Sequence, residues 1–188
     1  MNSTLPLAFT FLTKLPWPWR GPADETALAR SMFWFPWVGA VLGLIYWGAW
    51  AGLHRALPVP AAAAVLLTLT VWITGGLHLD GLADTADGLG GGRTPAEALA
   101  IMKDSRVGAF GVISLILGLV LKFSLFLSMA PQTSGAGALL LFPIISRWSM
   151  VLLAYLSPYA RAEGGLGQAM TLGVSPRVLL GASLSAGG

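Results

Sequence analysis

Four long apolar runs alternate with short polar connections along this chain, at residues 35–53, 61–77, 107–130 and 135–157. Each is near the roughly 20 residues that a helix needs to cross a bilayer. A fifth apolar run opens at 178–186. The first run carries Gly39/Gly43 and Gly48/Gly52 at i, i+4 spacing, a pattern that lets helices approach closely. Pro58 and Pro60 mark a tight turn after it, and 131–134 a second turn further on. Residues 1–20 are too short and too proline-broken to span. Leu7, Phe11 and Leu15 recur there at helical spacing, and Trp17 and Trp19 suit a membrane–water boundary, so the segment is expected to be interfacial or re-entrant. Asp24 is placed to cap a helix entering at Glu25. The pattern predicts an all-α, polytopic membrane bundle of four to five spans, built as a single membrane domain over 1–188.

Composition agrees. The chain is 55% hydrophobic and 10% charged, against about 25% charged in a soluble domain. Its mean hydropathy is +0.74. The formal charge of +3 comes from scattered positives with no basic tract, which excludes a nucleic-acid binder. With no cysteine, disulfides, thiolate metal sites and cysteine nucleophiles are excluded. The first residues lack the positive region of a signal peptide, so insertion through the chain's own helices is expected. Leaving Lys122 and Arg147 inside their spans, four crossings place eight positive residues on one side and Arg55 alone on the other. The positive-inside rule then puts the N-terminus and the 75–111 stretch in the cytoplasm.

That stretch holds five of the eight acidic residues, Asp80, Asp84, Asp87, Glu97 and Asp104, together with His78. Asp80, Asp84 and Asp87 stand at i, i+4 and i+7, on one narrow face of a helix. Three like charges near lipid either raise their pKa values or hold a cation between them. Hard divalent ions take oxygen ligands, and Mg2+ combines one or two carboxylates with water and substrate phosphate. The pattern therefore suits a metal–phosphate platform. Gly88, Gly90, Gly91 and Gly92 are expected to end the helix and let a bulky anion approach the backbone. Thr94-Pro95-Ala96-Glu97 predicts a new helix start, with Thr94 as cap, Pro95 in first position and Glu97 closing a capping box. Asp104 is placed to return a fourth carboxylate to the ion, and Lys103 and Arg106 to neutralise phosphate. His78 reads as a base, a ligand or an interfacial histidine. Lys122 is expected to snorkel, and Arg147 to face a polar cavity or a partner carboxylate.

The run from Gly75 through Gly92, with His78, Asp80, Asp84 and Asp87, followed by Met102-Lys103-Asp104-Ser105-Arg106-Val107-Gly108, resembles the cobalamin synthase (adenosylcobinamide-GDP ribazoletransferase) family. Supporting matches are Phe11 to Pro16, Phe35-Pro36 with Val38-Gly39, Ser146-Arg147-Trp148, Pro158 to Arg161, and Gly164 to Gly167. The resemblance implies an integral membrane enzyme of the bacterial inner membrane. A hydroxyl of alpha-ribazole or its 5'-phosphate attacks the cobinamide-linked phosphate of adenosylcobinamide-GDP, GMP leaves, and Mg2+ is required. It implies Asp80, Asp84, Asp87 and Asp104 as catalytic and metal-holding residues. It implies His78, Arg93, Lys103, Arg106, Arg147 and Arg161 as substrate-binding residues. The lipid bilayer is the expected partner beside these substrates, and homo-oligomerisation is left open. Family members continue to a Gly-Asp-x-Leu-Gly-type motif and a closing helix, so the chain is expected to be shortened at its C-terminus. Two alternatives stay in view. Asp84-x-x-Asp87-Gly88 also resembles part of the CDP-alcohol phosphotransferase signature, and an acidic cluster beside membrane spans also suits a divalent-cation transporter.

Overall fold

A computed structural model describes residues 4–17, 25–129, 136–161 and 164–187. The described residues form helices in the order α1 (Thr4–Leu12), α2 (Glu25–Ser31), a 3-10 turn (Met32–Trp34), α3 (Phe35–Ala56), α4 (Val59–Thr74), α5 (Leu77–Gly91), α6 (Pro95–Ile101), α7 (Ala109–Leu127), α8 (Ala136–Leu156), α9 (Leu166–Gly173) and α10 (Pro176–Gly187). There is no strand among them. Three helical runs are long and apolar enough to cross a membrane, Glu25–Ala56, Ala109–Leu127 and Gly137–Leu156, and α4 with α5 makes a bent fourth candidate. The all-α, polytopic expectation holds. Trp19, Asp24 and the expected turn at 131–134 lie outside the described residues.

The backbone groups into two compact units, residues 1–52 with 131–188, and residues 53–130. In the first, α2 runs through the 3-10 turn into α3 without a break, because Ser31 and Phe35 both keep right-handed helical angles. The helix expected to enter at Glu25 is there as α2, with Leu28, Ala29 and Ser31 buried. α1 packs on α2 and the 3-10 turn. Its Leu7, Ala8, Phe9 and Leu12 are buried, Phe9 stacks on Trp17 with centroids 4.6 Å apart, and Trp34 Nε1 donates to Thr4 Oγ1 at 3.2 Å. The N-terminal helix thus packs its apolar residues against α2 and the 3-10 turn.

The two glycine pairs on α3 behave differently. Gly39 lies against the Pro143 carbonyl and Ile144 of α8, and Gly43 against Leu140 and Leu139, so close that an added Cβ would meet backbone. Nothing comes within 4 Å of a Cβ built at Gly48 or Gly52. Gly43→Ala is therefore expected to force α3 from α8 and destabilise by about 1–3 kcal/mol. Gly48→Ala removes backbone freedom at no steric cost and should stabilise by roughly 0.5–1 kcal/mol. Thermal unfolding in detergent checks both, and equal effects at the two sites would refute the packing difference.

In the second unit α4 ends at Gly75 and Gly76, both left-handed (φ 62° and 72°). Gly75 N–H bonds the Trp72 carbonyl and Gly76 N–H the Val71 carbonyl, each at 3.1 Å. This Schellman-type close satisfies the last carbonyls of α4 and turns the chain by 87° before α5 begins. Side chains with a Cβ are strained at such angles, so the Gly75-Gly76 pair is what permits the corner. α5 packs chiefly on α7 and also on α6, and α4 packs on α7. Lys122 of α7 points to α4: its Nζ donates to the buried Thr70 Oγ1 at 3.0 Å and sits 5.9 Å from the Phe126 ring centroid. The snorkelling expected for it gives way to a bond between helices, because a hydroxyl partner lies within reach.

Candidate active site

α5 carries the acidic triad. The helix starts at the Gly75-Gly76 corner, and Asp80 N–H already bonds the Gly76 carbonyl at 2.9 Å. Asp80 is in its first turn, where a negative charge meets the positive end of the helix dipole. Burial then deepens along the face: Asp80 is exposed, Asp84 is half-buried and Asp87 is buried. The three carboxylates share a face as the spacing predicts, but the face turns progressively into α7.

Asp87 shows the consequence. Its Oδ2 accepts the N–H of Gly108 at 2.7 Å and its Oδ1 the N–H of Gly111 at 2.8 Å. Gly108 is the N-cap of α7 and offers no side chain of its own to satisfy the helix start. A carboxylate from α5 does that work from 21 and 24 residues away in sequence. Charge-assisted bonds of this kind contribute roughly 1.5–3 kcal/mol each, and the dipole adds to them. Both partners are glycine for a steric reason, since a Cβ at Gly108 or Gly111 would collide with this carboxylate.

Asp104 follows α6 and is taken up by Arg106. Arg106 Nε and Nη2 reach its two oxygens at 2.6–3.1 Å, and the Arg106 backbone N–H bonds Oδ1 at 3.0 Å. The guanidinium bonds first, then the backbone N–H, hold the Asp104 carboxyl below the usual carboxylate range. The pair is solvent-facing, and the Arg106 side chain is 88% exposed.

The glycine run differs from its expected part. Gly88, Gly90 and Gly91 lie inside α5, and Gly92 N–H bonds the Gly88 carbonyl at 3.0 Å. A Cβ at Gly88 would strike Met102, at Gly90 the Phe110 ring, and at Gly92 the Ala98 backbone. These glycines let α6 and the start of α7 close on α5. With backbone N–H groups spent in the helix ladder, the run is a packing surface and not an anion cradle. The next helix start is as expected: Thr94 Oγ1 accepts the Glu97 N–H at 3.2 Å, and Glu97 Oε2 accepts the Arg93 N–H at 2.8 Å.

His78 is half-buried in the first turn of α5, and Arg93 and Lys103 are exposed on either side of α6. Arg147 and Arg161 belong to the first unit. Arg147 is 3% exposed within α8, and its Nε has no hydrogen-bond partner among the described residues. It interacts electrostatically with Tyr46 of α3, itself buried. Glu25, the one described carboxylate of that unit, is exposed. Arg161 is half-buried just before the glycines that curl round Tyr159.

Among the described residues no three His, Cys, Asp or Glu side chains converge on a point that could hold a metal ion. The four expected carboxylates are therefore not gathered into one ligand set, because Asp87 and Asp104 have partners of their own. Asp80 and Asp84 stand one helical turn and about 6 Å apart. That pair fits Mg2+ in its usual smaller form, one or two carboxylates completed by water and phosphate oxygens. Gly108, the last residue of the family-like run, and Gly111 are the positions that hold the Asp87 carboxylate, a pairing that sequence spacing does not show.

A family model for cobalamin-5-phosphate synthase matches residues 4–187. The chain is 44% identical over 175 residues to an adenosylcobinamide-GDP ribazoletransferase of Syntrophobacter fumaroxidans, covering 92% of this chain and 70% of that one. It is 43% identical to the protein of that name in Brevibacillus brevis (89% and 68% covered) and 46% identical to that in Ectopseudomonas mendocina (87% and 67%). The chain thus spans about two thirds of the length of these curated relatives. No solved structure matches it.

Proposed function

The chain belongs to the cobalamin-5-phosphate synthase family, and from that premise we propose that it is a membrane transferase for the last step of nucleotide-loop assembly in cobalamin synthesis. Its substrates are adenosylcobinamide-GDP and alpha-ribazole or the ribazole 5'-phosphate. A ribazole hydroxyl attacks the phosphorus attached to cobinamide and gives up its proton. A new P–O bond forms, the bond to the GMP phosphate breaks, and GMP leaves with the electron pair. The observation that carries the reading is the family match over nearly the whole described chain, and the geometry supports it with an acidic pair on a helix set at 87° to its neighbour.

Asp80 and Asp84 are the residues that would hold Mg2+, which when bound neutralises charge building on the diphosphate. Arg93, Lys103 and Arg106 stand exposed around the same helices and supply positive charge for the leaving phosphate. His78, half-buried beside Asp80, is placed for a substrate contact at the first turn of α5. Buried in an apolar span with a free Nε, Arg147 is suited to an anionic group of a substrate, and Arg161 follows on the same unit. The membrane in this reading is the inner membrane, and the distribution of positive residues supports a cytoplasmic face for α5 and α6.

The test is GMP release from adenosylcobinamide-GDP and alpha-ribazole by the full chain in lipid vesicles, with Mg2+ varied. Saturable, Mg2+-dependent release is expected. Divalent-cation uptake into the vesicles without GMP release would instead support the transporter reading.

A further inference from the structure

We infer that Asp87 is a positioning residue for this reaction: a tether from α5 to the start of α7 that fixes the face on which Asp80 and Asp84 stand. The inference rests on the transferase reading for what is positioned, but the tether itself stands on geometry alone. Both Asp87 oxygens are engaged, at 2.7 and 2.8 Å, and by the two N–H groups that a local cap of α7 would have satisfied. The side chain is 7% exposed. Three features of the local sequence serve this one contact. Gly108 and Gly111 lack the Cβ that would displace the carboxylate. Gly108 leaves the cap position of α7 without a side chain able to compete. Gly88, next to Asp87, lets Met102 and Ala98 of the α6 region close in on the other side.

A carboxylate is needed where a neutral amide would fall short. Asn presents one acceptor oxygen and two N–H donors, so at position 87 it would bond one α7 amide and turn a donor toward the other. α5 would then be free to roll on α7. Asp84 lies three residues back on the same face, so its direction depends on that roll. A carboxylate one turn from its productive direction still binds an ion but presents it wrongly, and misplacement of about 1 Å can cost roughly 10²-fold in rate.

The test uses the full chain in detergent or nanodiscs with Asp87→Asn, Gly111→Ala and their double variant. Hydrogen exchange at the Gly108 and Gly111 amides is read by mass spectrometry, and kcat, KM and the Mg2+ half-saturation by GMP release, each per folded protein. Expected are exchange at these amides at least roughly 10-fold faster in Asp87→Asn, and a fall in kcat with the Mg2+ half-saturation and KM unchanged. Gly111→Ala should reproduce the kcat loss although it has no ligating side chain to lose, and the double variant should lose no more than the worse single one. A rise in Mg2+ half-saturation in Asp87→Asn, with Gly111→Ala fully active, would make Asp87 an ion ligand and overturn the tether. Unchanged exchange at both amides would overturn it as well. If Asp87→Asn does not accumulate, Gly111→Ala alone decides between these outcomes. Faster exchange in Asp87→Asn, beside a wild type that releases no GMP, would instead strike at the transferase reading and leave the tether in place.

Discussion

Asp84→Asn and Asp80→Asn are each expected to lower kcat by roughly 10²–10³-fold, the cost of removing one group that stabilises transition-state charge, while the helices stay folded. Asn keeps the size of Asp and one acceptor oxygen but carries no charge to hold a divalent ion. Stability should scarcely change in Asp80→Asn. Asp80 is exposed in the first turn of α5, so losing its interaction with the helix dipole costs only about 0.3–1 kcal/mol. GMP release in vesicles across a Mg2+ range, beside thermal unfolding, checks the prediction. The loss should be partly recovered at high Mg2+, since a weakened ion site is filled by mass action. Full activity of both variants at low Mg2+ would remove the pair from the chemistry. Opposite behaviour is expected at the neighbouring acid: Asp87→Asn should disturb the helix start of α7 without shifting the Mg2+ requirement. The same substitution, made at i, i+4 and i+7 on one helix, thus separates an ion-holding carboxylate from a capping one.

The membrane helices were legible because an apolar run of spanning length admits few other structures. α3, α4, α7 and α8 each overlie one of the apolar runs. Less legible was everything decided by a partner far away in sequence. Periodicity places Asp80, Asp84 and Asp87 on one face, and they are there, but it carries no information on how that face is rotated against α7. Gly88 to Gly92 suggested an anion cradle by composition alone. Whether a glycine's N–H is offered to a ligand or spent in a helix depends on what packs against it, and here Met102, Ala98 and Phe110 do. The same holds for Gly39/Gly43 and Gly48/Gly52, two identical spacings of which only the first meets another helix. Thr94 and Glu97 were readable because a capping box is complete within four residues.

Arg147→Met is expected to leave the chain as stable as wild type or more so, and to lower activity by roughly 10²-fold, equivalent to about 2.7 kcal/mol of transition-state stabilisation. The two halves of this prediction come from one observation. Arg147 is 3% exposed, inside an apolar span, with Nε lacking a hydrogen-bond partner among the described residues. An arginine at the centre of a membrane helix costs about 2.5–3.5 kcal/mol on insertion scales. Replacing a poorly compensated buried charge by a hydrophobe of similar volume is neutral or stabilising by about 1–4 kcal/mol in soluble proteins. Met fills much the same space and adapts its shape, so Tyr46 and the α3–α8 contact at Gly39 and Gly43 should persist. A side chain that burdens the fold, with no carboxylate beside it among the described residues of its unit, is what a contact to an anionic group of the substrate would account for. KM for adenosylcobinamide-GDP should rise if Arg147 binds an anionic group of a substrate in the ground state, and kcat should fall if the contact tightens only in the transition state. Thermal unfolding and steady-state GMP release on the same preparation separate the halves. Marked destabilisation with activity per folded protein unchanged would make Arg147 a structural residue of the first unit and remove it from the substrate-binding set.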